Sequence, residues 1–268
     1  SPTSMYSISK VSIKVFLEVS LQIFRIFSLW SFIPFFFVKL SITLPIEKLK
    51  RIASSMNNQI KNITYQSTNT YETLNGLTKN TQRVWIVFHG IGFLSRFFLK
   101  YFNELPKNEN YIIAPQAPSK YYLNGQYKHV GASWLTKEDT EQEKNNLFNY
   151  LDAVMANEDI LKRCELIIFG FSQGVSIAMR YLTHSKLQCN KLVLYAGGIP
   201  NELKKYDFKY LSNTEFISIL GNNDEYLTPD RLIKEKNKLV ELFGDNVRYI
   251  NFNGGHEIKK EIINNLVK

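Results

Sequence analysis

Apolar and polar residues follow two rhythms along this chain, and the switches between them mark its elements. Short, mostly apolar runs rich in β-branched and aromatic residues occupy 84–88, 111–114, 166–169, 191–195 and 215–220, with a further strand pattern at 247–252. Runs of this length, bounded by turn residues, predict strands, most of them buried on both faces. Between them lie stretches with helical spacing, at 93–105, 137–157, 173–183, 230–243 and 257–267. Within 137–157, Leu147, Tyr150, Leu151, Val154 and Met155 share one helical face. Segments 63–66 and 71–74, separated by Ser67-Thr68-Asn69-Thr70, predict an opening β-hairpin. Residues 119–136 are polar and aromatic with neither rhythm, and predict a loop. Strands alternating with helices in this way predict an α/β domain, a mostly parallel sheet covered on both faces.

The first 55 residues differ in kind. From Val11 to Leu44 the chain is almost unbroken apolar and aromatic sequence, interrupted by Lys14, Glu18, Arg25, Pro34 and Lys39. Its longest uncharged run, 26–38, is 13 residues, short of the roughly 20 that span a bilayer as a helix. Two expectations stand for residues 1–55. One is an apolar extension that associates with a membrane through 11–44. The other is sequence upstream of a natural start at Met56. The domain division expected is therefore 1–55 for this extension and 56–268 for one catalytic domain.

Composition narrows the classes. The net charge of +9 is concentrated in the extension, where residues 1–55 carry seven basic and two acidic side chains. The remaining 213 residues hold 26 basic and 22 acidic ones, with no arginine-rich stripe and no interleaved aromatic platform, so no nucleic-acid partner is expected. Cys164 and Cys189 make no disulfide framework and no Cys/His cluster has zinc-site spacing, so no metal is expected. The expected location is the cytoplasm, with membrane attachment only if residues 1–55 act as an anchor.

The chemistry centres on Gly170-Phe171-Ser172-Gln173-Gly174, where a buried strand ends and a helix begins. Chance supplies a G-x-S-x-G in about one chain in ten of this length, so its setting matters more than its letters. A strand turning into a helix within a few residues needs small flanking residues, and lifts the serine hydroxyl into the open. A nucleophilic serine needs a base and an orienting acid at other strand ends. Asp224 lies in Gly221-Asn222-Asn223-Asp224-Glu225, just past the strand 215–220. His256 lies in Asn253-Gly254-Gly255-His256-Glu257, just past the last strand. The order serine, acid, histidine is that of α/β-hydrolases. Glu225 is a rival acid, whereas His129 and His184 sit in a loop and at a helix end, away from the last strand. An oxyanion hole needs two backbone N–H donors. One is expected from Gln173, and one from His89-Gly90-Ile91-Gly92, where Ile91 is preferred over Gly92.

Phe88-His89-Gly90-Ile91-Gly92, Ala114-Pro115-Gln116-Ala117-Pro118, Ser133-Trp134, the elbow, Gly221 to Asp224 and Gly255-His256-Glu257-Ile258 together resemble the phospholipase/carboxylesterase family. That family comprises small serine esterases of the α/β-hydrolase fold, including acyl-protein thioesterases. The resemblance covers about 57–268. It implies a triad of Ser172, Asp224 and His256, oxyanion donors at Ile91 and Gln173, and Trp134 as an aromatic residue near the substrate pocket. It implies no cofactor. The sequence departs from the family after the glycine loop, where Phe93-Leu94-Ser95-Arg96-Phe97 lacks the usual acid, and after Trp134, where Leu135-Thr136 follow. Both departures border the expected acyl pocket.

The activity expected is hydrolysis of short to medium acyl esters through an acyl-enzyme. The pocket is expected to include Gly90, Gly92, Phe93 and Trp134, with Phe97 and the 119–136 loop lining an apolar groove. The partner is a small acyl ester or thioester. Alternatives are a lipid hydrolase of the acyl-protein thioesterase or lysophospholipase kind at a membrane, and a non-catalytic α/β-hydrolase used as a binding module. Acyl length, ester against thioester preference and oligomeric state stay open.

Overall fold

The computed structural model describes residues 59–268, except 159, 161 and 162. The expectations for residues 1–55, including the membrane segment 11–44, lie outside the described residues. Among the described residues no helix is long and apolar enough to cross a membrane. The sheet and the site belong to one unit, Ser67–Lys268.

Seven strands form the main sheet: β1 (Tyr71–Leu74), β2 (Arg83–Phe88), β3 (Asn110–Pro115), β6 (Glu165–Phe171), β7 (Lys191–Tyr195), β8 (Glu215–Gly221) and β9 (Val247–Phe252). Their order across the sheet is β1-β3-β2-β6-β7-β8-β9. All neighbours pair parallel except β1, which runs antiparallel to β3 with Tyr71 opposite Pro115. The sheet and its covering helices are those of the expected α/β-hydrolase fold.

Alternation along β2 shows how the core is divided. Val84, Ile86 and Phe88 face one layer, with Leu147 and Leu151 of α2 (Thr140–Asn157), Ile177 of α3 (Gln173–Ser185) and Leu239 of α4 (Pro229–Phe243). Trp85 and Val87 face the other, with Phe98 of α1 (Ser95–Phe98) and Ile262 of α5 (Lys260–Asn265). A strand with side chains buried on both faces must be apolar throughout, which is why these segments read as unbroken runs.

Four local expectations are corrected. Residues 63–66 form no strand, and β1 pairs with β3 instead of closing a hairpin. The apolar ladder of β3 offers more buried pairing than a short polar neighbour. The helix expected over 93–105 is only α1, followed by a 3₁₀ turn at Leu99–Phe102. The tighter turn sets Phe102 against Trp85 and Phe169, at 5.8 and 5.3 Å between ring centres. The loop 119–136 contains a second, two-stranded sheet, β4 (Ser119–Tyr122) antiparallel to β5 (Val130–Ser133). The closing helix begins at Lys260 instead of 257, because the chain before it forms the turn that carries His256.

Candidate active site

The elbow joins β6 to α3 with no intervening residue beyond Ser172. Ser172 takes φ 53° and ψ −119°, a region costly for a residue with a Cβ, by roughly 1–3 kcal/mol. Neighbouring structure holds it there. The Ser172 N–H donates to Tyr195 O at 2.9 Å, extending the β6–β7 ladder past its end. Close approach requires both glycines. A Cβ on Gly170 would lie 2.6 Å from Gly174 O, and one on Gly174 only 2.1 Å from Phe88 O.

The strained turn presents Ser172 Oγ to His256. Oγ donates to His256 Nε2 at 2.9 Å, and His256 Nδ1–H donates to Asp224 Oδ2 at 2.7 Å. The Asp224 carboxylate is fully buried, and its other oxygen accepts the Tyr226 N–H at 2.9 Å. A buried carboxylate with fixed donors on both oxygens cannot rotate away, so it holds the imidazole with its proton on Nδ1. Nε2 is left as the acceptor. Phe171 and Tyr226 pack on the ring, at 5.1 and 4.8 Å between centres. The rival acid Glu225 is exposed and meets only the His256 backbone N–H, at 3.4 Å. His129 and His184 take no part, and His184 pairs with Asp152 on the surface.

Both expected oxyanion donors border the same cleft. Gln173 is the first residue of α3, where an N–H has no intrahelical partner. In the loop after β2, the Gly92 N–H donates to Ala132 O at 2.9 Å and Phe93 N–H to Gly90 O. Among the described residues the Ile91 and Gln173 N–H groups donate to nothing. The engagement of Gly92 removes it as the alternative donor.

The cleft over Ser172 has a volume of about 430 Å³. Its wall includes Ile91, Phe93 and Phe171, the turn Ala196-Gly197-Gly198 after β7, and Tyr226, Leu227 and Arg231 beyond β8. Of the four pocket residues expected from sequence, Phe93 lines it. Gly90 and Gly92 do not; they shape the loop, Gly92 by turning it at φ 85°. Trp134 does not either. It is wholly buried, and its indole Nε1–H donates to His89 O at 2.8 Å. Phe97 points outward, 45% exposed beneath Arg96 and Lys100. Trp134 is thus engaged in holding the loops that frame the cleft.

Two side chains of the sequence motifs themselves have supporting roles that the motifs do not disclose. The Gln173 side chain accepts the Trp134 N–H at 2.9 Å and donates to Leu135 O at 2.8 Å, tying the chain after β5 to the elbow. His89 is fully buried, donates from Nδ1 to Gly90 O at 2.8 Å and accepts the Ala117 N–H on Nε2 at 3.2 Å. Burial drives its pKa from 6.5 down to about 4, so it stays neutral and structural. Among the described residues no group of three or more His, Cys, Asp or Glu could hold a metal ion.

Comparison with known proteins agrees with this architecture. The model of the phospholipase/carboxylesterase family matches residues 69–268. No curated protein matches the chain. Among solved structures, acyl-protein thioesterase 2 of Zea mays superposes with a TM-score of 0.56 at 15% identity, over 74% of this chain and 96% of that one. A phospholipase/carboxylesterase of Dyadobacter fermentans superposes with a TM-score of 0.56 at 19% identity, over 77% and 100%. A carboxylesterase of Bacillus cereus does so with a TM-score of 0.55 at 16% identity, over 82% and 96%. At such identities the structures speak for the fold, while the family match runs through every strand end that carries the site. On that match, the chain belongs to the phospholipase/carboxylesterase family.

Proposed function

We propose that this protein is a serine carboxylester hydrolase that cleaves short to medium acyl esters through an acyl-enzyme. The observation that carries the reading is the continuous hydrogen-bonded line from Ser172 Oγ through His256 to Asp224, opening on the cleft. As the Ser172 oxygen attacks the ester carbonyl carbon, His256 Nε2 takes its proton. Asp224 stabilises the imidazolium, and the Ile91 and Gln173 N–H groups receive the oxyanion. Collapse breaks the bond to the leaving oxygen, which takes the proton from His256. Water then attacks the acyl-serine, gives its proton to the same nitrogen, and the acid departs as Ser172 recovers its hydrogen. A cleft of about 430 Å³ suits a small ester.

A fluorophosphonate probe tests the nucleophile. Native protein should label and Ser172→Ala should not; a native protein that resists labelling would leave the fold as a binding module. A panel of p-nitrophenyl esters of rising chain length, run beside an acyl thioester, then sets acyl length and separates ester from thioester preference.

A further inference from the structure

Among the described residues that line the cleft, Arg231 is the one with a permanent charge. Local sequence explains how a guanidinium comes to be there. Thr228 caps α4, accepting the Arg231 N–H on its hydroxyl at 3.4 Å, and Pro229 opens the helix. That places Arg231 in the first helical turn beyond the Asp224 loop, beside the turn after β7.

The side chain is oriented from two directions. Its Nη1–H donates to Tyr226 O at 2.9 Å. Its Nε lies 3.6 Å from Glu235 Oε1, too long for a hydrogen bond, so the charge is only partly offset. Glu235 is itself fixed, because its other oxygen accepts the Ile199 N–H at 2.7 Å. The guanidinium packs against the backbone at Gly198, where a Cβ would come within 3.1 Å of Nη2. Nη2 donates to no described residue. A cation oriented by one hydrogen bond and one ion pair, with Nη2 uncommitted among the described residues, is preorganised to receive an oxygen anion.

We propose that Arg231 forms a subsite for a carboxylate carried by the substrate, making this protein selective for acidic esters over neutral ones of equal length. The inference rests on the ester-hydrolase reading above. Charge balance favours a carboxylate over a phosphate dianion. A second negative charge would face Glu235 with no further cation among the described wall residues to match it. The apolar contribution of Ile91, Phe93 and Leu227 accommodates the carbon chain between the ester and the acid.

The test is a ratio, which cancels the intrinsic reactivity of each ester. For native protein and Arg231→Gln, kcat/KM is measured on p-nitrophenyl pentanoate against p-nitrophenyl hemiglutarate. It is measured also on phenyl butyrate against 4-carboxyphenyl butyrate, so that the acid is presented from the acyl or the alcohol side. The substitution should lower the acidic-to-neutral ratio in one of the pairs by about ten- to a hundredfold, the usual worth of a charge-assisted hydrogen bond. Arg231→Lys should restore most of it, since the charge returns without the fork. Unchanged ratios in both pairs would overturn the subsite. To separate that failure from failure of the hydrolase reading, Ser172→Ala protein is titrated with the same esters by calorimetry. Tighter binding of the acidic member, lost on adding Arg231→Gln, supports the subsite whether or not turnover is seen. Equal binding of both members counts against it.

Discussion

Two histidines follow strands of the same sheet, His89 immediately after β2 and His256 in the loop after β9, and they stand in opposite settings. Both are held by hydrogen bonds on both ring nitrogens. His89 is wholly buried and its partners are backbone groups, Gly90 O and the Ala117 N–H. His256 is partly exposed and its partners are a carboxylate and a hydroxyl. The difference teaches that a strand-end position is not what makes a histidine reactive. A carboxylate on Nδ1 stabilises the charged ring that proton transfer creates, and an open cleft beyond Nε2 admits something to protonate. A backbone carbonyl in a sealed pocket does neither, and burial suppresses the charge altogether.

The contrast can be broken most sharply at His256. His256→Ala should lower kcat on the best p-nitrophenyl ester by about 10⁴- to 10⁶-fold with the circular dichroism spectrum unchanged. A loss under about a hundredfold would end the general-base assignment. Asp224→Asn should cost about 10⁴-fold in kcat, because an amide at that position favours the wrong tautomer.

At His89 the effect should appear in stability. The unfolded chain binds a proton near pH 6.5, whereas the folded protein resists until about pH 4. The stabilisation is therefore full above pH 6.5 and is lost as the pH falls toward 4, to a total of about 3 kcal/mol. Denaturant unfolding of native protein and His89→Gln at pH 7 and pH 4 measures it, the variant losing less on acidification by that amount. Equal losses would mean that His89 takes up its proton as readily in the fold as in the unfolded chain.

The frame around His89 gives a smaller effect. Trp134→Phe keeps an aromatic ring but strips His89 O of a buried donor, and should destabilise the protein by about 1–3 kcal/mol. If Trp134 touched substrate instead, KM would change while the unfolding midpoint stayed put. Smallest of all, Glu225→Gln should alter kcat by less than about threefold, since that carboxylate meets only a backbone N–H. A loss comparable with that of Asp224→Asn would reverse the choice between the two acids.

How far the sequence could be read obeys the same division. The runs at 84–88, 166–169 and 191–195 announce their strands, because a strand covered on both faces has no solvent side to encode. Ser172 and Asp224 could be named because each comes just after such a strand, and His256 because it lies in the loop after the last strand, whose outer face is exposed. The frame was not legible. Trp134 and Phe97 both read as pocket residues, yet one is buried in the frame and the other faces outward beneath two cations. Aromatic content alone does not say which way a ring points. The hairpin of β4 and β5 hid in a stretch with no rhythm, since β4 is exposed along its length and has no buried face to impose alternation.

By itself, then, the sequence determined the order of strands and helices, the elbow, and the strand ends that offer a serine, an acid and a histidine to it. Those depend on local backbone geometry and on the rule that parallel strands end at one edge of the sheet. Only the tertiary structure decided that Asp224 and not Glu225 reaches the imidazole, and that the Gly92 N–H is taken while among the described residues the Ile91 N–H meets no acceptor. It also decided that Trp134 supports the cleft and Arg231 lines it. Each of these choices turns on a hydrogen bond or packing contact between residues distant in the chain, and such contacts leave no periodic trace in the sequence around them.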